Sequence, residues 1–396
     1  MNNEPDAQSL PRRPSRTAEK MPPFLVMEVL ERAKALERKG RSIIHCEVGE
    51  PDFDTPRVIK EAGIKAIREG HTHYTHSQGR LEFRQVIADW WRRRYDLTID
   101  PERIVVTLGS SGAMSLVYAA LLDPGDRVLM TDPCYACYPN FVMACKGESV
   151  RLPVEESAGF QYDPRVVDRE LERGAKALLL NSPANPTGIV TSPDRLRELA
   201  RVTRGRTQII SDEIYHGLTY GEKAASILEY DPQAVVVTGF SKLFAMTGWR
   251  LGYCIVPEYL ARSVQKLSQN LVISPPDFPQ FAGIAALTEA EDAVEEMRRA
   301  YDERRRLVLR RLEEMGLPVL VEPTGAFYVF FNVSRYTEKV YDFAFTVLEE
   351  AGVALTPGVD FGPHGEGFLR LSYANSLANL EEGLDRLAAF LATLPG

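Results

Sequence analysis

The chain has 396 residues, of which 44% are hydrophobic and 26% charged, with a formal net charge of −8. That length suits two domains, or one large α/β unit with a smaller companion, and the apolar share is ample for a core. The acidic balance argues against a nucleic-acid surface or an anionic membrane as partner, and no apolar run approaches the roughly 20 residues that span a bilayer.

In chain order, residues 1–20 mix Arg12, Arg13, Arg16 and Lys20 with Glu4, Asp6 and Glu19 and have no apolar stretch, so they are expected to form a disordered tail and not a signal peptide. The segment 21–50 follows as an arm. Within it VMEVLERAKALERKG (26–40) has the spacing of an amphipathic helix that packs with the C-terminal part of the chain. From about residue 100, short β-branched runs alternate with longer helical ones. The predicted strands are IVVTL (104–108), RVLMT (127–131), ALLLN (177–181), QIISD (208–212), VVVTG (235–239) and GYCIV (252–256). Helices such as AMSLVYAALL (113–122) and SPDRLRELARVT (192–203) lie between them. Apolar strands without alternation, separated by helices, predict a largely parallel sheet covered on both faces, a doubly wound α/β domain over 51–290. Residues 291–396 read differently: a long charged helix (291–316), the strand region GAFYVFFNV (325–333), a helix near 340–351, the strand GFLRLSYA (367–374) and a last helix. That pattern predicts a smaller α+β domain.

The five cysteines, Cys46, Cys134, Cys137, Cys145 and Cys254, are an odd, sparse set that suits a reducing, cytoplasmic setting. Cys134 and Cys137 form a CxxC, but no second pair exists and His71, His73 and His76 lie far off, so packing is the expected role and no metal site is expected.

In an open parallel sheet, ligands bind beyond the carboxyl ends of the strands. Five consecutive strand ends deliver polar or aromatic groups: Gly109-Ser110-Ser111, then Tyr135, then Asn185, then Asp212 and Tyr215, then Ser241 and Lys242. Small residues between a strand and a helix make an anion site, because free N–H groups and the helix dipole face a phosphate. No Gly-Lys-[Ser/Thr] and no GxGxxG is present, which leaves P-loop and nicotinamide sites unsupported. Asp212 closes an apolar strand, where a carboxylate needs a partner or serves as a cap. Lys242 and Arg250 are set in the otherwise small and apolar SKLFAMTGWRLGY (241–253), a stretch expected to be buried. A desolvated lysine near another cation loses basicity and can attack a carbonyl. A phosphate anchor, a carboxylate, a hydroxyl, a stacking aromatic and a Schiff-base lysine together are what pyridoxal phosphate requires.

SKLFAMTGWRLGY, NSPANPTG (181–188) and SDEIY (211–215) resemble the class I/II aminotransferases, the fold-type I pyridoxal-phosphate enzymes, and the resemblance runs from about Met21 to the end of the chain. It implies pyridoxal 5'-phosphate as cofactor, with Lys242 as its covalent anchor and Asp212 facing the pyridine nitrogen. By the same resemblance Tyr215 and Asn185 face the phenolic oxygen, and Tyr135 stacks on the ring. Ser110, Ser111, Ser241 and Arg250 are implied as phosphate ligands, and Tyr74 as the residue that reaches the phosphate of a neighbouring subunit, which implies a homodimer with shared sites. Gly49, in CEVGEPDF (46–53), and Arg370, in FLRLSYA, resemble the groups that receive the substrate carboxylate, with Asn185 beside them. The implied activity is ping-pong transfer of an amino group from an L-amino acid to a 2-oxo acid. The apolar stretch Pro22-Pro23-Phe24-Leu25-Val26 favours a neutral donor over aspartate. Two alternatives stay open: a carbon–sulfur or other β-lyase on the same scaffold, and a non-catalytic aminotransferase-like regulator.

Overall fold

The computed structural model describes residues 13–394. Twelve strands occur among them, in chain order β1 (Ile44–His45), β2 (Ile104–Leu108), β3 (Arg127–Asp132), β4 (Glu148–Pro153), β5 (Ala177–Asn181), β6 (Gln208–Asp212), β7 (Val235–Gly239), β8 (Leu251–Ile255), β9 (Tyr328–Asn332), β10 (Val353–Ala354), β11 (Thr356–Pro357) and β12 (Phe368–Ser372). Seven of these form one sheet in the order β2-β8-β7-β6-β5-β3-β4. Every neighbouring pair in it is parallel except the two made by β8, which runs against both β2 and β7.

The uninterrupted apolar runs are explained by two cores. Successive residues of each strand point to opposite faces, and both faces are covered. Val105, Val128, Leu179, Ile210 and Val237 enter a cluster with the helix Gly109–Leu121. Their chain neighbours Val106, Leu129, Leu178, Ile209 and Val236 enter the other, larger cluster. The edge strand β4, ESVRLP, is absent from the predicted set; its residues are mostly half-exposed, so it carries no apolar run.

The second sheet, β11-β12-β9, is antiparallel. The helices Glu291–Glu314 and Val340–Ala351 pack on it, and Leu377–Leu391 packs against both of these helices. β1 pairs in parallel with β10, and the helix Leu25–Glu37 buries Val29, Ala33 and Leu36 against Leu348 and Ala354. Two arginines of Glu291–Glu314 are nearly buried, Arg304 at 8% and Arg305 at 7% exposure. Both are ion-paired: Arg304 donates to Asp52 at 2.7 Å, and Arg305 to Asp302 at 2.8 Å and to Glu322.

Of the predicted tail, residues 1–12 lie outside the described residues. Order begins earlier than the sequence suggests, because Arg16–Lys20 forms a short exposed helix whose first turn is capped by Ser15 Oγ accepting from the Ala18 N–H. Among the described residues, no helix is long and apolar enough to cross a membrane.

Candidate active site

The carboxyl ends of β2, β3, β5, β6 and β7 face one cavity, lined on the far side by the arm and by β9 and β12. Eleven of the twelve sequence-predicted site residues line it: Gly49, Ser110, Ser111, Tyr135, Asn185, Asp212, Tyr215, Ser241, Lys242, Arg250 and Arg370. Tyr74 does not; its side chain stands 80% exposed on the outer surface.

At one end, β2 passes directly into the helix Gly109–Leu121, and Gly109 takes φ +71°. A Cβ there would sit 2.8 Å from Arg250 Nη2, so only glycine lets the guanidinium lie over the helix start. Arg250 donates to the Thr247 carbonyl at 3.0 Å and has no carboxylate partner among the described residues. The stretch 241–253 is not uniformly buried as expected: Lys242 is half-buried and Arg250 exposed, because both turn into the cavity. Ser110 and Ser111 at the helix start, Ser241 and the Arg250 cation make a nest for a phosphate.

In the centre, Asp212 is 6% exposed and accepts from Tyr138 Oη at 2.8 Å and from the Ile214 N–H at 3.1 Å. Burial pushes its carboxyl up to about 6, against the opposing pull of these donors and of Lys242. It therefore caps the local turn and still lacks an adjacent cation, which a protonated ring nitrogen would supply. Lys242 Nζ donates to the Gly49 carbonyl at 2.6 Å. Burial lowers this amine to about 8; Glu50 opposes the shift, and Arg370 and Arg250 add to it. The neutral, nucleophilic form is thus accessible near neutral pH.

At the other end is Arg370, 2% exposed. Its Nη1 donates to Asn185 Oδ1 at 2.8 Å, and its Nη2 to the Glu47 carbonyl and to Thr356 Oγ1. Its Nε is buried with no partner, and no carboxylate of the described residues pairs with it. A buried cation held only by neutral acceptors is strained electrostatically unless a ligand brings an anion.

Among the wall residues that sequence reasoning missed are Tyr138, three residues after Tyr135 and the donor to Asp212; Glu50; and Tyr328, in the predicted strand region 325–333. Of the apolar stretch Pro22–Val26, only Phe24 and Val26 face the cavity, joined by Met27. A helix begins at Leu25 and turns Leu25 to the outer groove that Pro22 and Pro23 also line.

A phosphorylated pyridine aldehyde fits this donor set, with a nest for its phosphate, a carboxylate for its ring nitrogen and an amine for its carbonyl. The comparisons with known proteins agree with the fold. Residues 41–387 match the family model for aminotransferases of class I and II. The chain is 41% identical over 372 residues to the (5-formylfuran-3-yl)methyl phosphate transaminase of Methanocaldococcus jannaschii, covering 93% of this chain and 96% of the relative. It is 35% identical to the aspartate aminotransferase of Pyrococcus horikoshii, covering 91% and 93%. Among solved structures, Thermus thermophilus aspartate aminotransferase with maleate superposes with a TM-score of 0.92 at 38% identity, covering 96% of this chain and 99% of that one. The chain belongs to the class I and II aminotransferases. Its fold is fold type I and it is an aminotransferase; this family is generally dependent on pyridoxal phosphate.

Proposed function

We propose that the protein moves an amino group from a neutral L-amino acid to a 2-oxo acid in a ping-pong cycle with pyridoxal 5'-phosphate. The observation that carries the reading is Arg370, a buried cation whose remaining donors have no anion within the described residues. Donor and acceptor share one chemical handle, an α-carboxylate, and the planar guanidinium binds it in bidentate fashion. One such clamp in one cavity implies that donor and acceptor use it in turn.

When bound, the cofactor supplies an electron sink for the carbanion at the donor's Cα. Arg250, Ser241, Ser110 and Ser111 would hold its phosphate. Asp212 would keep its ring nitrogen protonated, Tyr215 and Asn185 would donate to its phenolic oxygen, and Tyr135 would pack beside it. Lys242 would anchor it and, as a free amine, would take and return the proton at the donor's Cα. Gly49 and Asn185 border the substrate carboxylate. Phe24, Val26 and Met27 form an apolar wall, and Glu50 adds a negative charge, so a donor's side-chain carboxylate finds no spare cation among the described residues that line the cavity.

We read Tyr74 as reaching the site of a second copy, in a homodimer. Its chain neighbour Thr75 donates to Ser274 Oγ, which brings the exposed segment of Tyr74 to that of Leu271 and Ile273, at 67% and 52% exposure, a face suited to burial against a partner. The five free thiols support a reducing, cytoplasmic setting.

The test is a panel of aspartate, alanine, leucine and phenylalanine with 2-oxoglutarate as acceptor. A neutral donor should lead in specificity constant. Aspartate leading by about tenfold, roughly 1.4 kcal/mol, would reject the neutral-donor reading.

A further inference from the structure

We propose that Tyr328 is a positioning residue that sets two site groups at once, the hydroxyl of Tyr215 and the guanidinium of Arg370. The inference rests on the functional reading above and deepens it.

Tyr328 opens β9, and Arg370 lies on the antiparallel neighbour β12. The register pairs Tyr328 with Ser372 and Phe330 with Arg370, so Tyr328 and Arg370 are diagonal neighbours on one face of the sheet. The Arg370 Cζ stands 4.5 Å over the Tyr328 ring, which is itself 1% exposed. The Tyr328 hydroxyl lies 2.8 Å from the Tyr215 hydroxyl, with the two rings edge to face at 82°. A Cβ on Gly49 would fall 1.9 Å from the same hydroxyl. The hydroxyl is therefore wedged against the arm, and Tyr215 is its hydrogen-bond partner.

The direction of that bond matters. Each phenol has one proton. If Tyr215 donated to Tyr328, its only proton would be lost inside the wall. If Tyr328 donates, the proton of Tyr215 is left for an oxygen in the cavity. The cation over the ring of Tyr328 withdraws electron density and makes it the better donor of the two. Arg370 thus fixes the order Tyr328 to Tyr215 to cavity oxygen, and the ring of Tyr328 in turn seats the guanidinium.

Two variants of the holoenzyme separate these effects. Tyr328→Phe keeps the ring under Arg370 and removes one proton. Its affinity for the unreactive carboxylate 3-phenylpropanoate should stay within about twofold of wild type. Its bound cofactor should show the pH midpoint of visible absorption raised by about 0.5 pH unit, because a weakened donor stabilises the deprotonated form less. Tyr328→Leu removes the ring, and the carboxylate affinity should fall about threefold or more. A role in packing alone would lower the denaturation midpoint and leave both readouts unmoved. An unchanged absorption midpoint in Tyr328→Phe, or an unchanged affinity in Tyr328→Leu, overturns the proposal. A wild type that takes up no pyridoxal phosphate overturns both this and the functional reading; a normal wild-type band with unmoved variants overturns this one alone.

Discussion

Two of the places where arginines are buried in this molecule have opposite surroundings. On the helix Glu291–Glu314, Arg304 and Arg305 are matched by Asp52, Asp302 and Glu322. At the cavity, Arg370 is buried more deeply and is given only carbonyl, amide and hydroxyl oxygens. The first pair closes its own electrostatics and belongs to the scaffold. The second leaves a charge open, and Lys242 on the same cavity does likewise. Desolvation makes an open charge costly, so its presence points to a ligand rather than to stability.

Lys242→Ala is the most severe way to break this contrast. It should reduce transamination by at least ~10⁴-fold, because the covalent anchor and the base are lost together. The denaturation midpoint should barely move, since the Lys242 amine makes one hydrogen bond, to the Gly49 carbonyl, and a distant approach to the Phe327 ring. Borohydride reduction of the wild type with pyridoxal phosphate, followed by peptide mapping, checks the anchor: a label on any other lysine refutes it.

Arg370→Lys and Arg305→Ala set the two environments side by side. Arg370→Lys loses one of two charge-assisted bonds to a carboxylate, worth about 1.5–3 kcal/mol, so the specificity constant should fall roughly 10- to 150-fold while cofactor uptake is retained. An unchanged specificity constant for every good donor removes Arg370 from the clamp. Arg305→Ala should do the reverse, costing about 2 kcal/mol of stability through the lost charge-assisted bonds to Asp302, which keeps only the exposed Arg306, with turnover per folded enzyme unchanged. Urea titration and active-site titration separate the two outcomes.

The smallest expected effect concerns a cation whose pairing is conditional. His45 is half-buried, with Nδ1 at 2.8 Å from Glu47 Oε1 and Nε2 at 3.1 Å from Glu37 Oε1. The bond to Glu47 raises the imidazole above its ordinary value; burial opposes this, and Glu37 adds to the rise. A raised folded-state value means the stabilisation is fully present below the unfolded value near 6.5 and is lost as pH rises through the folded one. The wild-type denaturation midpoint should therefore decline above about pH 6.5 relative to His45→Gln. Parallel pH profiles for the two proteins would show that the pair contributes nothing.

What the sequence disclosed was what repeats locally. Asp212, Asn185 and Lys242 each follow an apolar strand within a few residues, so their convergence on one rim could be read from strand order alone. Tyr138 and Tyr328 could not, because each gains its meaning from a residue far along the chain: Tyr138 from Asp212, 74 positions on, and Tyr328 from Tyr215, 113 positions back. Buried aromatics in such runs look like core until the partner is known. The direction of β8 was hidden for a related reason. All five of its residues are buried, and a strand covered on both faces has the same apolar pattern whichever way it runs.

That reversed strand decides where Arg250 can be. The loop after β7 leaves the cavity rim carrying Lys242, and β8 starts at Leu251. Because β8 runs back through the sheet, the loop both departs from and returns to the same rim, and Arg250 is its last residue. A five-residue strand is about 17 Å long. Had β8 been parallel, the chain would have had to cross to the opposite edge before entering it, and Arg250 would stand about that far from the Gly109 helix start. One change of direction lets nine residues of chain, Lys242 to Arg250, bring both the proposed covalent anchor and the proposed phosphate clamp to one rim without a second crossover.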